Sequence, residues 1–86
     1  MPKKDELVVG TPMQVTVDSR INNGLSVAPA LVTMIREDPE EGMRLNLRVF
    51  LDTGMDRRYN NIPLVDTKPD NIEMIHPEQV AFWPEA

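Results

Sequence analysis

The chain has 86 residues, enough for one domain spanning residues 1–86, and it carries no cysteine, which excludes disulfides, thiolate nucleophiles and sulfur-rich zinc sites. Its net charge of −5 argues against general nucleic-acid binding, which neutralises many phosphates with lysine and arginine. No apolar run approaches the roughly 20 residues that cross a bilayer. Residues 1–6 are predicted to be flexible, and residues 1–4 lead into Asp5-Glu6 rather than into an apolar signal segment. We therefore expect an intracellular protein with no membrane partner.

The N-terminal third predicts two strands and a hairpin turn. Leu7–Val9, followed by Gly, Thr and Pro, indicates a short edge strand closed by a turn. Residues 13–21 begin with apolar and polar residues in alternation, which is typical of a half-buried strand. Asn23-Gly24 tolerates positive φ at both positions, so this strand is predicted to fold back onto residues 25–28.

The middle of the chain predicts a central hairpin. Ala30–Arg36 is nearly apolar on both faces, as in a strand covered on both sides, and Met43–Leu51 alternates strictly between apolar and mostly polar residues. The acidic segment Glu37–Gly42 is predicted to be the turn between them. We expect three core pairs across this hairpin, Met34 with Leu45, Val32 with Leu47 and Ala30 with Val49.

The C-terminal third begins with a predicted loop over residues 55–61 and an edge strand over 62–66 that contains Pro63. A short apolar segment over 72–75, a short 3-10 turn near residues 77–80 and a closing strand over 81–83 are predicted to follow. Together these elements predict an all-β fold, a small barrel of five or six strands. The segment Ile-His-Pro-Glu-Gln-Val-Ala-Phe, residues 75–82, resembles the end of Src-homology-3-like barrels. The resemblance implies that fold, but the proline-rich ligands of such domains need more aromatic residues than this chain has.

Arginine, asparagine and tyrosine cluster on and after the central strand. Guanidinium forks, amides and an aromatic ring are the groups that bind phosphates and stack a base. The sequence therefore predicts a ligand site formed by Arg44, Arg48, Arg57, Arg58, Tyr59, Asn60 and Asn61. Two alternatives are a protein interface and a solvated face whose arginines only balance Asp52 and Asp56.

A second predicted surface is an oligomer interface. Leu31, Ile35 and Phe50 are expected on the side of the hairpin that faces away from the core, and so small a barrel has no helix to cover them. The alternative is that Phe82 and Trp83 cover them within one chain. No cofactor or metal is expected, because the single histidine, His76, has no second histidine or cysteine nearby.

Val-Phe-Leu-Asp-Thr-Gly, residues 49–54, resembles the active-site loop of retroviral-type aspartic proteases. That resemblance implies a homodimer in which each subunit supplies one aspartate, here Asp52. However, the family also needs a later apolar pair followed by glycine, and Gly54 is the last glycine of this chain. Since Asp-Thr-Gly is also a common turn, we expect a protein that is not an enzyme.

Several segments together resemble a group of small bacteriophage accessory proteins. These segments are residues 28–35, 45–51, 53–54, 61–66 and the ending Phe-Trp-Pro-Glu at 82–85, where the group has Trp-x-Trp-Pro-Glu. The resemblance implies a phage-encoded, oligomeric binding module in the host cytoplasm, which counters host defence by binding a nucleotide immune signal or a host protein. The alternative it leaves open is a structural accessory protein of the virion.

Overall fold

The computed structural model describes residues 7–40, 42–65 and 79–84. These residues form an all-β fold whose five strands close into a barrel, which confirms the predicted fold class. The elements in chain order are β1 (Pro12–Thr16), a 3-10 turn (Ser19–Ile21), β2 (Val27–Asp38), β3 (Gly42–Phe50), β4 (Asp56–Val65) and β5 (Ala81–Phe82).

The strands form an antiparallel meander from β1 to β4, and β5 closes the barrel. β5 lies antiparallel to β1 and parallel to β4. Thr16 fixes the entry to β5, because its backbone N–H donates to the Val80 carbonyl at 3.0 Å and its Oγ1 accepts from the Val80 N–H at 3.0 Å. The predicted segment at 72–75 and residues 77–78 of the predicted 3-10 turn lie outside the described residues, whereas Gln79 and Val80 are not helical.

The alternation of β3 supplies the centre of the core. Leu45, Leu47 and Val49 are at most 1% exposed, as the sequence pattern predicts. Burying an aliphatic side chain of this size stabilises the fold by about 1.5–3 kcal/mol relative to leaving it in water. The same core cluster contains the other buried apolar residues Leu7, Met13, Val15, Ala28, Ala30, Val32, Leu51, Ile62 and Ala81. Phe82 is also fully buried.

The N-terminal strands differ from their prediction. β1 ends at Thr16 rather than at residue 21, because Asp18 caps a 3-10 turn by accepting a hydrogen bond from the Arg20 backbone N–H at 2.9 Å. The Arg20 guanidinium also binds the Asp18 carboxylate, and these bonds lower the pKa of Asp18 to about 2. Residues 7–9 form no strand, since the Val8 carbonyl accepts from Thr11 in a turn.

The β2–β3 register matches the prediction only for the first half of the hairpin. Ala30 pairs with Val49 and Val32 with Leu47, but a β-bulge follows Val32. An inserted residue exchanges the two faces of a strand. The pairing of Met34 with Leu45 was therefore wrong: Ile35 lies opposite Leu45 and packs against the core, and Met34 is 51% exposed.

The prediction of a loop over residues 55–61 was also wrong. Residues 56–61 belong with 62–65 to one strand, β4, because they pair with β3 along most of its length. A second bulge separates the Leu47–Tyr59 and Leu45–Ile62 pairs, and Asn61 within it has a φ of 60°. It lies just before Pro63, which the sequence placed at an edge or a bulge.

A buried amide joins the two turns at one end of the barrel. Asn22 is 1% exposed and donates through Nδ2 to the carbonyls of Leu25 at 3.0 Å and Val27 at 3.2 Å. Its Oδ1 accepts from the Asp52 backbone N–H at 2.7 Å. The φ values of Asn23 and Gly24, 52° and 83°, confirm the predicted turn that presents this amide.

We predict that Asn22→Ala lowers the free energy of unfolding by about 3 kcal/mol, because it leaves buried polar groups of two turns without partners. Asn23→Gly is the matched control. It removes the exposed hydrogen bond from Asn23 Nδ2 to Asp52 Oδ2 while tolerating the positive φ, and should cost less than about 1 kcal/mol. Urea denaturation measures both variants. Equal losses would show that Asn22 has no special role.

Candidate ligand-binding face

The outer surface of β2, β3 and β4 carries most of the arginines of the chain. Inward and outward residues alternate along a strand, so the residues between the buried positions of β3 point away from the core, together with their partners on the neighbouring strands. We call this surface the arginine face. It consists of Leu31, Met34 and Arg36 of β2, Arg44, Asn46, Arg48 and Phe50 of β3, and Asp56, Arg58, Asn60 and Asn61 of β4.

The structure brings five of the seven predicted ligand residues onto this face and separates the other two. Arg57 lies opposite Val49 and Tyr59 opposite Leu47, both of which point into the barrel. Tyr59 is partly buried against the core, so it is not the aromatic residue of the face, whereas Arg57 is exposed at the barrel end. The aromatic ring on the arginine face belongs to Phe50, which is 39% exposed.

Two pairs of arginines lie directly opposite each other across neighbouring strands. Arg36 of β2 pairs with Arg44 of β3, and Arg48 of β3 pairs with Arg58 of β4. Like charges in this position destabilise a sheet unless an opposite charge lies nearby. Arg48 follows Arg44 by four positions of extended strand, so the two pairs lie about 13 Å apart.

One of these pairs shares a single carboxylate. Arg48 Nε donates to Asp56 Oδ2 at 2.6 Å, and Arg48 Nη2 forms an ion pair with the same oxygen. The Arg48 hydrogen bond, followed by its charge and more weakly that of Arg58, holds the pKa of Asp56 below its usual value. The Arg48 Cζ also lies 5.9 Å from the centroid of the Phe50 ring, a cation–π distance.

Arg58 differs from Arg48 in this respect. Among the residues that the structure describes, no hydrogen bond or ion pair involves the guanidinium of Arg58. Its charge contributes only through space to Asp56, which Arg48 already binds. A free guanidinium fork beside a second arginine is a site at which an incoming anion gains charge-assisted hydrogen bonds.

The β4 bulge organises the other pair. Asn61 Oδ1 accepts from Arg36 Nη2 at 2.8 Å, and the Asn61 carbonyl accepts from Arg44 Nη1 at 3.4 Å. The Asn61 N–H donates to Asn46 Oδ1 at 3.0 Å, which ties the bulge to β3. Arg36 was not among the predicted ligand residues, because it faces the same way as Arg44 only after the β2 bulge.

Asp-Thr-Gly at 52–54 forms the turn between β3 and β4. The Leu51 N–H donates to the Met55 carbonyl at 2.8 Å, the Gly54 N–H donates to the Leu51 carbonyl at 3.0 Å, and Gly54 has a φ of 90°. The carboxylate of Asp52 accepts from Asn23. These contacts are those of the turn interpretation, and the protease resemblance stays a prediction.

Two other features have no candidate within the described ranges. No group of three or more histidine or acidic side chains there is placed to hold a metal ion, and His76 lies outside those ranges. No helix of the described segments is long and apolar enough to span a membrane.

We predict that the pKa of Asp56, followed by NMR titration of its carboxyl carbon, rises towards the usual value for aspartate in Arg48→Gln. The rise should be much smaller in Arg58→Gln, because the Arg48 hydrogen bond is the main cause of the shift. Equal rises in the two variants would show that Asp56 senses only the overall positive charge of the face.

Comparisons with protein-family models, with curated proteins and with solved structures found no match to this chain. The resemblance to small bacteriophage accessory proteins, and the origin it implies, therefore stay predictions.

Proposed function

We propose that the protein is a non-enzymatic binding module that holds a phosphate-bearing small molecule on the arginine face. The observation that carries this proposal is the pair Arg48 and Arg58, two opposed guanidinium groups that share one carboxylate. A phosphate supplies the acceptor oxygens and the negative charge that this pair lacks.

The surroundings of this pair suit a nucleotide. Phe50 lies next to Asp56 on the same face and beside Arg48, so a base stacked on its ring leaves the phosphate within reach of Arg58. Asp56 competes with the phosphate for Arg48 and thereby limits the affinity. The Arg36–Arg44 pair, about 13 Å away along the strands, suits a second anionic group of the same ligand.

The phage resemblance gives this activity a context. A small oligomeric protein that binds a nucleotide immune signal in the host cytoplasm would lower its free concentration and counter host defence. A host protein is the second candidate partner, because Leu31 and Met34, 38% and 51% exposed, add apolar contact area to the arginines. In the virion alternative, the protein would instead copurify with particles.

The test is a thermal-melting screen of the parent protein against mono-, di- and cyclic dinucleotides. A ligand at 100 times its dissociation constant adds about 2.7 kcal/mol to the stability of the folded state, which is a readily measured shift. We expect Arg58→Gln to abolish the shift and Asp56→Asn to increase it, because the second change releases Arg48.

Arg57→Gln is the matched control for this screen. Arg57 is adjacent in sequence, exposed and, in the described part of the chain, equally without a hydrogen bond or ion pair, but it lies on the inward side of β4. Its substitution should leave the nucleotide shift unchanged. A shift that survives Arg58→Gln, or no shift with any nucleotide, would contradict the proposal.

A further inference from the structure

The charges of this protein are strongly segregated. Four arginines and one aspartate give the arginine face a formal charge of +3. Because the net charge of the whole chain is −5, the remaining residues together carry −8. Part of that negative charge lies at the tip of the β2–β3 hairpin, where Glu37 and Glu40 are exposed. The protein thus presents a basic surface and an acidic projection that complement each other.

The two glutamates at the tip are available for contacts. Within the described residues, neither Glu37 nor Glu40 forms an ion pair, whereas Asp38 is used inside the turn, where its Oδ1 accepts from the Glu40 N–H at 2.8 Å. Because β1 pairs with β2 only as far as Leu31, the tip lies well beyond the end of β1.

Exposed apolar side chains, as well as charges, favour binding of another surface to the arginine face. Leu31, Met34 and Phe50 are between 38% and 51% exposed on it. However, a pair of copies in which the arginines of one face lie against those of the other would place four arginines against four arginines, and such like-charge juxtaposition is strongly unfavourable. Any self-association through this face therefore has to set a different, non-basic surface of the second copy against the arginines.

We propose that the arginine face of one copy binds the acidic hairpin tip of a second copy. Glu37 and Glu40 of the tip meet Arg48 and Arg58, and the tip covers the exposed apolar residues between the arginine pairs. The contact joins two different surfaces, so it either repeats head-to-tail into a ring or filament or is made twice, reciprocally, in a two-fold dimer. The predicted interface residues Leu31 and Phe50 take part in this contact, but Ile35 does not, because it packs against the core.

Two variants in which charged side chains are replaced by glutamine test this arrangement by sedimentation at low salt. The face variant is Arg48→Gln with Arg58→Gln, and the tip variant is Glu37→Gln with Glu40→Gln. Each should weaken self-association at least about tenfold, because each removes one side of the same ion pairs. An equimolar mixture should form a complex of one face variant with one tip variant, since only one intact tip and one intact face remain to meet.

The mixture distinguishes this contact from its alternatives. A symmetric face-to-face contact predicts that the tip variant associates as well as the parent does. Arg57→Gln removes a neighbouring charge that lies off the face, so this variant should assemble as the parent does. Added salt should dissociate the assembly of the parent. Circular dichroism checks that each variant is folded. If the face variant is unfolded, the single substitution Arg58→Gln takes its place.

A parent that is monomeric at tens of micromolar, a tip variant that still assembles, or a mixture without the mixed complex would each overturn the proposal. The experiment is performed without nucleotide. Its failure therefore leaves the proposed ligand-binding function intact, and the failure of the nucleotide screen leaves the assembly intact.

Discussion

The strict two-residue alternation of β3 is the constraint on which both the core and the surface of this protein depend. Its inward residues Leu45, Leu47 and Val49 are almost fully buried, and its outward residues Arg44 and Arg48 anchor the two arginine pairs. Because β3 has neighbours on both sides, one strand sets which side chains of β2 and β4 point outwards. The core of the barrel and the candidate site therefore depend on the same alternation. A shift of β3 by one residue would turn its core residues outwards and its arginines inwards.

The two bulges determine which residues join the arginine face. The extra residue in β2 turns Ile35 inwards and Met34 outwards and brings Arg36 opposite Arg44. The bulge in β4 holds Asn61 at a positive φ, from which its side chain and its carbonyl reach both arginines of that pair. Bulges often mark places where a sheet aims side chains at a site, and here both lie beside the same surface.

This explains how much could be predicted from the sequence. Local sequence patterns were enough to predict three elements: β3, the Asn23-Gly24 turn and the closing β5. The first half of β4 was not, because its arginines and asparagines have no hydrophobic period and become a strand only by pairing with β3. Arg36 was missed, and Tyr59 was grouped with the arginines although it packs against the core, since both positions depend on long-range register.

The opposed arginines are the strongest reason to regard this surface as functional. A sheet with no ligand gains stability from opposite charges across its strands, yet this one places Arg36 opposite Arg44 and Arg48 opposite Arg58 in a chain whose net charge is −5. Asp56 relieves one pair only in part, because a single carboxylate bound to Arg48 leaves Arg58 without a hydrogen bond of its own in the described structure. A nucleotide phosphate and the acidic tip of another copy would relieve the same repulsion, so the two should compete for this face. Bound ligand would then favour the dissociated protein, which couples the state of assembly to the concentration of the ligand.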